Sequence, residues 1–250
     1  MRLRIGHRLF APTPAGVLAT GIALATFVSL GYWQIGRARE KQARVEAFIA
    51  GNQSSVDATG MRFDALARYQ HVSLRGRYDA AHQVLLDNMP STRTGRPGYR
   101  VLTPFARSDG RGWVMVDRGW VAAAPSRAIL PPVVVEGDER TVGGRLDGLP
   151  VPGMRLGPAA GTDATGWPRV LNFPAFQDIE AALGHEVESR LILLDAGRPD
   201  GFEREWRPAL GFGPERHLAY AITWFALALT AVAIFIATHL RRPAAESQAP

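Results

Sequence analysis

Cysteine is absent from this 250-residue chain. That excludes thiolate metal centres, covalent c-type haem attachment and disulfides, and it suits an oxidising compartment without requiring one. Lysine is nearly absent as well: Lys41 stands alone, so of 29 Lys plus Arg residues 29 − 1 = 28 are arginine. A net charge of +6 and a pI near 10.4 would suit nucleic acid. The arginines are spread rather than clustered, however, and no helix-turn-helix, RNP or zinc-finger pattern accompanies them, so no nucleic-acid partner is expected. Enzyme templates are also missing. There is no G-x-S-x-G elbow, H-E-x-x-H pair, P-loop or G-x-G-x-x-G turn, and His71 and His82 have no neighbours at metal-ligand spacing. These absences argue for a role that is not enzymatic.

The most informative scarcity is local. Mean hydropathy over the chain is −0.05, yet no Lys, Arg, Asp or Glu occurs between Arg8 and Arg37, or between Arg216 and Arg241. A helix rises about 1.5 Å per residue, so about 20 apolar residues cross a hydrocarbon core of about 30 Å. Both windows are long enough. The first has a competing reading as a signal peptide, with Arg2, Arg4 and Arg8 as its basic region and Ser29-Leu30-Gly31 as a weak cleavage site. Tyr32 and Trp33, placed where an interfacial aromatic belt belongs, favour a retained span. The organisation expected is a tail over residues 1–13, a first span over 14–33, a soluble domain over 34–216, a second span over 217–240 and a tail over 241–250. Two spans put both tails on one side of a lipid bilayer. The flanking arginines, including Arg37, Arg39, Arg241 and Arg242, nearly tie on which side that is.

Between the spans the pattern changes. Residues 35–50 are free of proline and helix-compatible, a stalk continuing the first span. Thereafter come short runs that read as strands: 70–76, 84–87, 99–105, 113–117, 133–135, 141–146 and 191–195. Residues 109–112, Asp-Gly-Arg-Gly, form a hairpin-type connection, and residues 176–183, closed by Gly184, make a short amphipathic helix. Strands in series with short turns favour a mainly antiparallel sheet or small open barrel within an α+β fold. If the strand through Asp117 and Arg118 continues, these two neighbours point to opposite faces; otherwise they mark a strand-to-turn junction with Arg118 paired across the sheet.

One constellation carries chemistry. His217 opens the second span, and His217, Tyr220 and Trp224 recur at i, i+3 and i+7. An antiparallel partner helix brings Tyr32, Trp33 and Gln34 to the same boundary. An imidazole beside aromatic walls, with Arg216 adjacent, suits a flat amphipathic macrocycle: imidazole for its iron, apolar surface for its ring, arginine for its propionates. The same residues also suit a plain interfacial belt with a histidine at its edge.

Several motifs taken together resemble a known family. Leu30-Gly31-Tyr32-Trp33-Gln34 resembles its L-G-x-W-Q opening, Gly98 to Phe105 its G-Y-x-V-x-T-P segment, and Val116 to Val121 its V-[ND]-R-G-W-V segment. Gly201-Phe202 and residues 216–225, Arg-His-Leu-Ala-Tyr-Ala-Ile-Thr-Trp-Phe, resemble its C-terminal approach and second helix. This is the Surfeit locus protein 1 family of cytochrome c oxidase assembly factors. The chain departs from the pattern at Met89, where a basic residue is expected after Asp-Asn. The resemblance implies a bacterial inner-membrane protein with a periplasmic domain and cytoplasmic termini. It also implies a chaperone that holds or hands over haem a during maturation of oxidase subunit I, with haem a synthase as a further partner. His217 falls on the family's histidine and is the expected contact to haem iron; Tyr220, Trp224 and Trp33 would wall the ring, and Arg216 or Arg118 would meet the propionates. A scaffold that binds oxidase subunits without touching haem is the alternative.

Overall fold

A computed structural model describes residues 3–5, 8–150 and 166–241. Arg2, Arg242 and most of the expected C-terminal tail lie outside the described residues. In chain order the elements are β1 (Leu3–Ile5), β2 (Arg8–Phe10), α1 (Pro14–Ala50), β3 (Ser55–Asp57), β4 (His71–Tyr78), β5 (Val84–Leu86), β6 (Gly98–Arg107) and β7 (Trp113–Ala122). They continue with β8 (Glu139–Asp147), β9 (Arg169–Leu171), α2 (Phe176–Leu183), β10 (Leu191–Leu194), α3 (Pro214–His239) and β11 (Leu240–Arg241). The chain divides into two compact units, Met1–Val45 with Leu210–Pro250, and Glu46–Ala209.

The first unit is built on α1 and α3. Their most apolar 18-residue stretches are only 6% and 11% buried. A core helix of a soluble protein hides its apolar face, whereas these helices present apolar side chains outward: Val17, Leu18 and Ile22 on α1, Ile222, Leu229 and Ile234 on α3. Such surface is stable only in lipid, and the chain is a membrane protein. Helix α1 has 37 residues, about 55 Å at 1.5 Å each, and so exceeds a hydrocarbon core of about 30 Å. Beyond its apolar part the helix carries Glu40 bridged to Arg37 and Arg44, charge pairs at the i, i+3 and i, i+4 spacing that supports a solvated helix. At the far end, β1, β2 and β11 make a small sheet in the order β1-β2-β11.

The second unit is a small barrel. Its sheet runs β3-β4-β8-β10-β7-β6-β5-β9, and a further pairing of β4 with β6 closes β4, β8, β10, β7 and β6 into a ring. The ring is antiparallel except where β10 lies parallel to β7. The flanking pairs β3–β4 and β5–β9 are also parallel. Strand β10 is buried along its whole length. Ile192 and Leu194 point into the core with Val72, Leu74, Phe105, Val114, Val116 and Leu146. Leu191 and Leu193 point outward to Met115, Leu102 and Ile179 of α2. Two buried faces explain the unbroken Leu-Ile-Leu-Leu run, since alternation appears only when one face meets water. Helix α2 ends where expected, with Gly184 left-handed at φ 78° and its N–H bonded to the Glu180 carbonyl.

Two expectations need correction. Residues 133–135 form no strand, because Pro131 and Pro132 precede them and the carbonyls of Val133 and Val134 accept hydrogen bonds from Arg118 instead of a neighbouring strand. Strand β7 does not stop at Asp117 but runs to Ala122. It passes Gly119 at φ 110°, opposite a register shift between Arg100 and Leu102: a glycine-hosted bulge that lets the strand bend and continue.

Candidate functional site

Helix α3 begins as its sequence dictates. Gly213 is the N-cap, Pro214 occupies the first turn, where a missing N–H costs nothing, and Glu215 lies at the positive end of the helix dipole. This start places His217 in the first turn. Its Nδ1 lies 2.7 Å from Oε1 of Gln34 on α1, and Gln34 is only 9% exposed. Among the described residues nothing bonds Nε2 of His217.

Below this contact the helices meet through aromatic and small residues. Trp224 stacks on Phe27 with ring centroids 5.8 Å apart and planes at 26°. Tyr32 meets Phe225 edge-on at 5.6 Å and 82°. Gly31 is the reason Phe225 can lie so close, for a β-carbon there would sit 2.7 Å from the ring. Phe27 and Gln34 are seven residues apart, as are His217 and Trp224, so two antiparallel stripes face each other.

The other expected site residues are placed differently. Trp33 points off the α1 stripe and is exposed, and Tyr220 is exposed on the flank of α3; it is Gln34, one position on from Trp33, that meets the histidine. Arg216 is exposed, its guanidinium 4.3 Å over the Phe212 ring. Arg118 belongs to the barrel unit and is 1% exposed. Its Nε donates to the Asp200 carbonyl at 2.6 Å, Nη1 to Gln83 Oε1 and the Val133 carbonyl at 2.9 Å each, and Nη2 to the Val134 carbonyl at 3.0 Å. Four of its five N–H donors are spent in this way, Phe202 and Tyr78 lie over its faces, and at 1% exposure the guanidinium is not open to a propionate.

A contrasting histidine marks the other end of α3. His239 bonds the Phe235 carbonyl through Nδ1 at 2.8 Å and Thr13 Oγ1 through Nε2 at 3.2 Å. Both of its nitrogens are engaged, which makes it a latch between helix ends, while His217 keeps one nitrogen available.

The barrel unit has a concavity of about 160 Å³ between Trp120 and Trp206, with Arg100 and Met89 in its lining. Both indole N–H groups are used internally, on the Met89 and Leu194 carbonyls. Trp120 binds Met89 through its backbone, so that contact is indifferent to the side chain at the position where the family pattern is broken. Beneath lies Asp117, fully buried and paired with Arg100. Burial pushes its carboxyl up, against the pull of Arg100.

The SURF1 family model matches residues 21–229 of the chain. A SURF1-like protein of Rickettsia felis is 24% identical over 233 residues, covering 86% of this chain and 94% of that protein. A SURF1-like protein of Rickettsia bellii is 25% identical over 237 residues, 89% of each, and one of Rickettsia prowazekii is 24% identical over 230 residues, 86% of this chain and 87% of that protein.

Proposed function

This chain belongs to the SURF1 family, known for oxidase assembly factors, and from that premise we propose that it binds haem a and aids its insertion into subunit I of a cytochrome c oxidase. The observation that carries the reading is His217: Nδ1 is held by Gln34 at 2.7 Å, and Nε2 is left without a partner among the described residues. A neutral imidazole with one nitrogen anchored and the other free is a donor suited to iron. The surroundings fit the rest of the macrocycle. The apolar surface of Trp224, Phe27 and Phe225 lies one to two turns deeper, and Arg216 is an exposed cation at the same boundary. Haem is cargo here, and ligation by a single histidine suits a carrier that must let go. The protein acts without catalysis, as a chaperone in the bacterial inner membrane, with the barrel periplasmic, both termini cytoplasmic, and oxidase subunit I and haem a synthase as partners.

Spectroscopy of full-length protein in detergent micelles loaded with haem a tests this. His217→Ala should remove or shift the Soret band while membrane insertion persists, and His217→Met should retain partial ligation with an altered spectrum. An unchanged affinity and spectrum in His217→Ala would place the ligand elsewhere and return His217 to the role of interfacial anchor.

A further inference from the structure

Resting on that reading, we infer that Gln34 is the positioning residue of the haem site, and that its neutral amide makes His217 a releasable ligand. An amide oxygen has lone pairs and no proton, so it accepts; Nδ1 of His217 must therefore donate. A neutral imidazole carries a single proton. With that proton on Nδ1, the lone pair sits on Nε2, the nitrogen without a partner among the described residues. Gln34 is well placed to impose this choice. It is nearly buried at 9% exposure and rides on the α1 face that carries Phe27, packed on Trp224 of α3. Seven residues separate Gln34 from Phe27, two helical turns, so the contact that holds the helices together also holds the amide against the ring.

The kind of acceptor matters as much as its position. A group bonded to the far nitrogen of a metal-binding histidine orients the ring and sets its basicity. A carboxylate in this place would draw the Nδ1 proton toward itself, strengthen donation from Nε2 and favour ferric iron. A neutral amide fixes the ring with far less of that push. A protein that must surrender haem to another protein is served by an oriented but weakly basic ligand, and glutamine supplies that.

The test needs two readouts, one of them free of haem. In full-length apo-protein labelled with 15N-histidine, at a pH where imidazole is neutral, His217 should show a protonated Nδ1 and an unprotonated Nε2; its signals are assigned by their loss in His217→Ala. Gln34→Leu should yield a mixture of tautomers, and Gln34→Glu should restore the single Nδ1–H form. On loading with haem, Gln34→Leu should bind about 10-fold or more weakly. Gln34→Glu should release ferric haem more slowly than the native protein and have a lower reduction potential. An Nε2–H tautomer in the native protein overturns the inference, as does a tautomer unchanged in Gln34→Leu or haem release no slower in Gln34→Glu. A native Nδ1–H tautomer that depends on Gln34, in a protein that takes up no haem, would instead sink the haem reading and leave the orienting role of Gln34 standing.

Discussion

Replacing Arg118 by lysine separates a buried structural arginine from a propionate ligand, and the structure sets the size of the effect. Four hydrogen bonds of 3.0 Å or less leave the guanidinium, to Asp200, Gln83, Val133 and Val134. An ammonium keeps the charge but sends its three donors from one point, and from there it can reach about two of these four acceptors. Two acceptors are left dry, at about 1–3 kcal/mol each, for a total of about 4 kcal/mol. In guanidinium chloride, with a slope of about 4 kcal/mol/M, the unfolding midpoint of the barrel should fall by about 1 M. Near-ultraviolet circular dichroism of the full-length protein in micelles reads that midpoint, and haem titration of the folded protein should give native affinity. A midpoint lowered by less than about 0.3 M, together with weakened haem binding, would refute the reasoning and return Arg118 to the ligand set.

Other perturbations reach the two units separately. Gly31→Leu drives a side chain into Phe225 and should cost the helix pair about 1–3 kcal/mol. Oxidative cross-linking between Phe27→Cys and Trp224→Cys, clean in a chain without cysteine, should be efficient in the native background and fall in the Gly31 variant. Burial alone would raise the Asp109 carboxyl, but hydrogen bonds from Arg107 and the N–H groups of Gly60 and Arg111 outweigh it and hold it at about 2. A lowered folded-state pKa adds stability above the ordinary carboxylate value of about 4, which is lost as pH falls towards 2; the denaturation midpoint of Asp109→Asn should depend less on pH in that window. For the proposed orientation, alkaline phosphatase fused at residue 120 should be active and a fusion at the C-terminus inactive, and the reverse pattern would invert the topology.

What could be read from the residues depended on how local the cause was. The two spans were visible because lipid tolerates no charge over about 20 residues, and α2 because Gly184 marks its end. Strands β4, β5, β6, β7, β8 and β10 showed as short alternating or apolar runs. Strands β3 and β9 did not, being three residues each and paired in parallel with partners 16 and 85 residues away, as Ser55 is with His71 and Val84 with Arg169. The Val133–Val135 run looked like a strand because β-branched residues fit a pleat, but its carbonyls belong to Arg118. Tyr32, Trp33 and Gln34 were all expected at this boundary; that Gln34 turns inward and Trp33 outward follows from the rotation of about 100° between successive helical residues, which the sequence leaves without a reference direction. The place of His217 was legible; its bond to Gln34 depends on the register of two helices that are 183 residues apart in sequence at that contact.

The placement of β10 has a consequence for how the protein is made. It is the last barrel strand in the chain, yet it sits between β8 and β7 and bonds to both. Until Leu194 has been synthesised, those two strands present open ladders, the edges that invite wrong partners. Only the 19 residues from 195 to 213 separate β10 from α3. Closure of the barrel is therefore followed closely in synthesis by the second span. A nascent chain arrested before Leu191 would have its first helix in the membrane and an unsealed barrel, and the 23 residues from Leu194 to His217 carry synthesis from the sealing strand to the histidine that the second helix presents.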